Sequence, residues 1–400
     1  MERYFRAGVL ALALIIIAPC LWAQTESDER ALIDVKDGLG FRQDSLFMLN
    51  LRFRMQNRMG ATTVSGDDLS IKTVDARVRR LRLRLDGYMM TTRLRYYIQL
   101  NFSRADLDLE TEGATAQPVR DAMVYYHFNK RVYIGFGQSK LPGNRQRVNS
   151  SGNLQFPDRS IANAAYTLDR DFGMFAYWTV PMGPQEVQIK TSISSGEGRG
   201  ASPGGPGMAY TGRLEWLPMG AFSNKGDYSE GDLEMEPEPK VSLAAGYSFN
   251  DRSIRTGGQL GAELYDYRDA GTFIADALFK HRGWAFSTEY FDRRCDDPLT
   301  KDENGAVAVV TVGTGFNAEL SRYFRSKYQI AGRYTFVQPD AAIQAYRRRT
   351  DETLLGLTRY FNGHRIKLQA YSGYRWLDRN IDLSHSGNAW TFMFQVEFGI

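Results

Sequence analysis

The sequence predicts an all-β chain: a single antiparallel transmembrane β-barrel of about sixteen strands, with short periplasmic turns and long extracellular loops. Three observations carry this reading. Stretches with strict apolar/polar alternation recur along the chain, and the links between them are alternately short and long. No run of about 18 apolar residues follows residue 23, which excludes membrane helices. Barrel strands remain allowed, because alternation averages their hydropathy, and the mean hydropathy is −0.41.

The clearest stretch is Arg80-Leu81-Arg82-Leu83-Arg84-Leu85-Asp86, which fits the period of a strand and no helix period. Before it, Leu49, Leu51, Phe53 and Met55 alternate with Asn50, Arg52, Arg54 and Gln56, and residues 60–70 read as a loop. After a turn at residues 90–92, Leu94, Tyr96, Ile98 and Leu100 alternate with Arg93, Arg95, Tyr97 and Gln99. Further strands are expected at 121–128, 131–137, 171–180, 185–195, 208–217, 240–249, 272–281, 283–292, 307–321, 327–337, 353–361, 364–376 and 389–399. The link Asn362-Gly363 is a hairpin dipeptide. The last strand alternates Trp390, Phe392, Phe394, Val396 and Phe398 with polar residues, an apolar face that lipid can cover.

One link breaks the pattern. Residues 218–239 fall where a short turn belongs, yet they are long and carry Asp227, Glu230, Asp232, Glu234, Glu236 and Glu238. Their charge and prolines suit neither barrel face, so they are expected to form an acidic periplasmic extension.

The first residues have the form of a secretory signal. Arg3 and Arg6 precede an apolar run from Ala7 to Ala18, and Ala23 is a small residue at the expected cut, giving a signal over 1–23. A lipoprotein cut before Cys20 is the rival, opposed by Pro19. A polar tail over 24–45 and the barrel over 46–400 follow. Cys295 is then the only cysteine, so no disulfide can form within one mature chain. The formal charge of +4 falls to +3 without Arg3, Arg6 and Glu2, too modest an excess to indicate nucleic acid as a partner of an exported chain.

The order of several segments resembles the phosphate-selective porin family, O and P type. These are residues 40–54, the Arg/Leu strand ending Asp86-Gly87, and Gly135-Phe136-Gly137-Gln138-Ser139-Lys140-Leu141-Pro142. They continue with Asp158-Arg159-Ser160, Asp169-Arg170-Asp171 and Tyr360-Phe361-Asn362-Gly363-His364. The resemblance implies a sixteen-stranded, usually trimeric outer-membrane porin whose cationic lumen is narrowed by its third loop. By order that constriction loop is 138–170. The implied function is passive, anion-selective diffusion of small anions, inorganic phosphate foremost, with outer-membrane lipid around a homotrimer. A general diffusion porin for carboxylates or oligosaccharides and a plugged structural or adhesive barrel are the alternatives.

If the apolar faces meet lipid, the candidate lumen cations are Arg52, Arg54, Arg80, Arg82, Arg84, Arg93, Arg95, Arg333 and Lys367. Lys140, Arg145, Arg147 and Arg159 are the candidates in the constriction loop. Arg suits this role because its planar fork takes phosphate or carboxylate oxygens in pairs and stays charged. The other reading of each is a solvated charge or a partner for a loop carboxylate, with Asp158 and Asp169 the neighbours of Arg159 and Arg170. Carboxylates on the same faces look fewer, with Asp86, Glu186, Asp276 and Glu397 the clearest. His127, His281, His364 and His385 are far apart, without Cys or carboxylates at metal-ligand spacing, and no Gly-x-Ser-x-Gly elbow occurs. No catalytic residue, metal or cofactor is therefore expected.

Overall fold

The computed structural model describes residues 32–34, 38–104, 106–107, 116–200 and 205–400. The expected signal segment and half of the expected tail lie outside the described residues.

Alternation becomes geometry in a closed antiparallel barrel of 16 strands. In chain order these are β1 (Phe47–Thr63), β2 (Ile71–Met89), β3 (Thr91–Asn101), β4 (Val119–His127), β5 (Val132–Lys140), β6 (Arg170–Met182), β7 (Gln185–Ser194) and β8 (Ala209–Leu217). They continue as β9 (Lys240–Arg255), β10 (Glu263–His281), β11 (Trp284–Arg294), β12 (Gly313–Tyr323), β13 (Tyr328–Pro339), β14 (Thr350–Asn362), β15 (Ile366–Leu377) and β16 (Ala389–Gly399). Pairing of Arg54–Thr62 in β1 with Thr391–Gly399 in β16 closes the ring, which removes any free edge. The first residues of β1 pair instead with Leu39–Gln43, itself paired with Leu32–Asp34, so the described end of the tail is drawn into the sheet.

Side chains divide as the period of two requires. In β16, Phe392, Phe394, Val396 and Phe398 are exposed on the outer face, while Gln395 and Glu397 are fully buried inside. In β2, Arg80 and Arg82 are buried and bond to residues inside the barrel, which leaves Leu81 and Leu83 facing outward. Trp178, Trp216 and Trp284 stand exposed near strand ends, as interfacial anchors do. Tyr360, near the end of β14, points inward and donates to Gln329.

Several links differ from expectation. Gly60 lies within β1. The expected loop over residues 250–271 shrinks to 256–262, because β9 and β10 run for 16 and 19 residues, continuing their ladder past a bulge after Asn250. The link before β12 contains a small hairpin, Leu299–Lys301 with Val307–Val309.

The interior is filled rather than open. Between β5 and β6 the chain folds inward with two short helices, α1 (Arg145–Val148) and α2 (Ile161–Tyr166). Leu141, Ala162, Tyr166 and Leu168 of this loop pack on Met123, Phe175, Ile274 and Phe291 of the wall. Phe156 packs on Ala331 and Leu354. Lumen-facing glycines leave the space: a Cβ on Gly315 would stand 2.8 Å from the Tyr166 ring, and one on Gly356 would stand 2.8 Å from Phe156.

The link 218–239 is not the free-standing extension that its charge suggests. Asp227, Glu230, Asp232 and Glu236 are buried, and the segment enters the barrel from the turn end to meet the inward loop. Its carboxylates find donors there: Asp232 accepts from Gly283 N–H at 2.6 Å, and Glu236 accepts from Ser223 N–H at 2.7 Å. Lys280 binds its backbone carbonyls at Gly226 and Gly231. Only Glu234 and Glu238 of its acidic set remain exposed.

Candidate functional site

The lumen wall is divided by charge. Strands β8 to β16 supply Glu215, Asp276, Glu289, Glu319, Glu352 and Glu397, all buried and facing inward, beside the buried cations Arg213, Lys280, Arg293, Arg333 and Lys367. Most of these carboxylates hold the loop. Arg145 of α1 donates to Glu215 at 2.7 Å and Asp276 at 2.8 Å, and Arg213 joins it on Asp276. Gln146 donates its backbone N–H to Glu289 and its side-chain amide to Glu319, each at 2.7 Å. Lys367, fully buried, binds the carbonyls of Gly152 at 2.8 Å and Leu154 at 2.7 Å.

With its acidic wall occupied, the loop tip crosses toward the opposite wall. Ser150 and Ser151 accept from Arg54 at 3.0 and 2.8 Å, and Ser151 also accepts from Arg82 at 2.9 Å. Gly152 permits this approach, since a Cβ there would lie 2.3 Å from Arg54 Nη1. A cavity of about 430 Å³ remains between tip and wall. Arg52, Arg54, Arg82, Arg84, Arg120, Lys140, Arg159, Arg170 and Arg365 line it, and among the described residues Glu397 is the single acidic side chain in its lining.

Some of these charges are neutralised from behind. Asp106 takes Arg82 at 2.6 and 2.7 Å and Arg120 at 3.3 Å. Asp121 takes Arg170 at 2.9 and 3.1 Å, and Asp86 takes Arg84 at 2.9 Å. Among the described residues, others meet no such anion. Lys140 binds the carbonyls of Val148 and Asn149 at 2.8 and 3.0 Å, and Arg159 binds those of Gln146 and Asn149. Burial, and then the guanidiniums of Arg82, Arg170 and Arg54, push the Arg159 pKa below its ordinary value despite Glu230. A chamber so short of counter-charge favours entry of an anion, and the low-dielectric wall strengthens the attraction.

Residues 49–274, more than half of the chain, match the family of phosphate-selective porins O and P. The chain belongs to that family. No curated relative matches the sequence. Among solved structures, an anion-selective porin from Comamonas acidovorans superposes with a TM-score of 0.57 at 11% identity, covering 88% of this chain and 100% of that one. OprB of Pseudomonas putida gives a TM-score of 0.55 at 10% identity, with coverages of 88% and 94%. OmpF of Salmonella typhi, in complex with daunomycin, gives 0.52 at 14% identity, with coverages of 92% and 100%. At such identities these likenesses establish the porin fold alone. Family and fold make the protein an outer-membrane porin.

The porin gathers the expected cations only in part. Arg52, Arg54, Arg82, Arg84, Lys140 and Arg159 line the chamber. Arg93 and Arg95 lie exposed at the turn end, too near the β2–β3 turn to face it. Arg80 is buried against Gln56 and Pro157. Arg333 lies under the loop over the Phe156 ring, between Glu319 and Glu352. Arg145, Arg147 and Lys367 likewise hold the loop, Arg147 through Asp169. The neighbour pairing Asp158–Arg159 does not form; Asp158 serves Arg58, Arg79 and Arg80, with Arg79 reaching inward at a bulge in β2. Against the burial penalty, those three guanidiniums hold the Asp158 carboxyl well below its ordinary value. Sequence reasoning finds Asp276 and Glu397 of the acidic wall but passes over Arg120, Glu215, Glu289, Glu319 and Glu352. Glu215, Glu289 and Glu319 each occupy one polar position of an alternating strand, and single positions on separate strands carry no local signal of assembly.

Proposed function

We propose that this porin conducts small anions passively and selectively, inorganic phosphate foremost, as a homotrimer in the outer membrane. The observation that carries the reading is the chamber itself, with nine cationic side chains and one acidic one among the described residues at the tip of the inward loop. Lys140 and Arg159 hold their charge toward it while bonding backbone carbonyls, and Arg54 does so while bonding the Ser150 and Ser151 hydroxyls, with Glu397 at 3.9 Å. Adjacent Arg and Lys sites let an anion pass between neighbours without being trapped at one. Family membership supports phosphate, the Comamonas porin described as anion-selective supports the charge preference, and a trimer form described for OmpT of Vibrio cholerae supports the assembly. Export through a cleaved signal at residues 1–23 completes the proposal.

Single-channel recording in planar bilayers tests it. A KCl gradient is expected to give a reversal potential on the chloride side, with phosphate reducing the chloride current. Replacing Arg54, Lys140 and Arg159 together by Gln is expected to lower the anion preference. Cation preference in the unaltered protein would overturn the reading, and absence of conductance would favour a plugged barrel.

A further inference from the structure

A second cavity, of about 860 Å³, opens at the turn end and adjoins the chamber, since Tyr97, Val148 and Tyr228 line both. Its wall has a different chemistry. His127, Tyr133 and Tyr177 are directly opposed across β4, β5 and β6. Their rings form one continuous stack: His127 on Tyr133 at 4.5 Å and 15°, Tyr133 on Tyr177 at 4.5 Å and 14°. Tyr125 leans on the stack at 6.1 Å from Tyr133, and Gly135 opposite makes room, because a Cβ there would come within 2.9 Å of the Tyr125 ring. These rings point into the barrel, where inorganic anions gain nothing from an aromatic face.

A ring-bearing solute does. Apolar faces of rings pack on aromatic side chains, and the half-buried edges of tyrosines offer hydroxyls to a polar rim. The same cavity is lined by the acceptors Glu186, Gln188 and Asp227, groups that suit sugar hydroxyls, with the cations Arg95, Lys130 and Lys225 on its rim. At its junction with the chamber, the Arg84 guanidinium lies 4.6 Å from the centre of the Tyr97 ring. Lys190 stands next to Tyr228 at 2.9 Å on the inserted turn. Cations therefore border the aromatic shelf on the side from which a phosphoryl group would reach the chamber.

We propose that the turn-end cavity is a binding subsite for phosphorylated sugars. The pyranose lies on the Tyr133–Tyr177 shelf, with its hydroxyls on the acceptors and its phosphoryl group on the chamber guanidiniums. This rests on the anion-porin reading and narrows its substrate class from phosphate alone to sugar phosphates.

The test uses the full chain in planar bilayers, reading block of chloride current by glucose 6-phosphate, inorganic phosphate and glucose at one pH. Half-block by glucose 6-phosphate is expected at a concentration about fivefold lower than that of inorganic phosphate, the order of one ring-stacking contact. Glucose alone is expected to block weakly. The variants Tyr133→Leu and Tyr177→Leu, checked for assembly by heat-modifiable gel migration, are expected to remove the sugar advantage and to leave phosphate block unchanged. Equal block by glucose 6-phosphate and inorganic phosphate would overturn the proposal even if the variants fail to assemble. Block by glucose as strong as by its phosphate would overturn it too. In either case a chloride-selective reversal potential leaves the anion-porin reading standing, whereas a potassium-selective one removes that reading.

Discussion

Arg145 anchors the loop, unlike its loop neighbours Lys140 and Arg159, which line the chamber. Its guanidinium is buried between Glu215 and Asp276 and also bonds Ser242 and the Asp227 carbonyl, so it joins the loop, the wall and the inserted turn. Replacement by Ala would leave those carboxylates buried with only Arg213 and Lys190 to offset them. Breaking one partner of a buried ion pair costs about 3–5 kcal/mol. Arg145→Ala is therefore expected to lower the temperature at which the barrel unfolds on a heat-modifiability gel, and to add noise to the single-channel current as the loop loosens. Anion preference that fell while unfolding temperature stayed unchanged would place Arg145 in the permeation path instead. Parity along β1 and β2 was enough to find Arg52, Arg54, Arg82 and Arg84 from sequence. It could not separate a permeation cation from an anchor, because that depends on which carboxylate stands across the lumen.

The inward loop is held at the element scale by shape as well as charge. Phe156 fits against Gly356 of β14, where a side chain has no space, and the Arg333 guanidinium covers the ring from 4.7 Å. Gly356→Leu is expected to displace Phe156 and with it the loop tip, raising single-channel conductance and lowering anion preference together; an unchanged conductance would show that the tip is held by its polar contacts alone. Glycines in alternating strands read as weak strand positions in sequence, so this fit was not legible there. The inserted turn was misread for a related reason: acidic residues with prolines suggest solvent, and only the fold reveals donors waiting inside. Burial, and then the Glu319 carboxylate, raise the Glu230 pKa to about 8, against its bonds and the cations Arg333 and Arg159. A raised carboxylate pKa means that the docked turn binds the proton more tightly than the undocked one. Its contribution is fully present below the ordinary carboxylate pKa of about 4.3 and is lost as pH rises through about 8. A spin label at Asn224→Cys, in a Cys295→Ser background, is expected to gain mobility between pH 6 and pH 9 by roughly that titration, and Glu230→Gln is expected to abolish the change. Mobility that rose toward acid instead would reject the assignment.

Across the whole molecule, a basic wall on β1 to β4 faces an acidic wall on β8 to β16, and the loop turns this division into selectivity by covering the acids and leaving the guanidiniums to the chamber. The barrel, its strand number and its two unlike ends were legible because they rest on local periodicity and link length. The division was not, because it arises when distant strands close into a ring, as Glu397 of β16 meets Gln56 of β1 at 2.8 Å. The division also predicts how selectivity responds to salt. The Debye length is about 10 Å at 0.1 M and about 3 Å at 1 M, so in concentrated salt each cation acts only on an anion it nearly touches. If selectivity came from the summed field of the wall, the chloride-over-potassium permeability ratio would fall severalfold between 0.1 M and 1 M KCl. If it came from direct ligation by Lys140 and Arg159, whose heads lie within the cavity lining, most of it would survive. The chamber is narrow enough, at about 430 Å³ with nine cations, for ligation to contribute at every salt concentration. The expected result is a ratio that declines and then levels off above one; a decline to no preference at 1 M would assign the selectivity to the field alone.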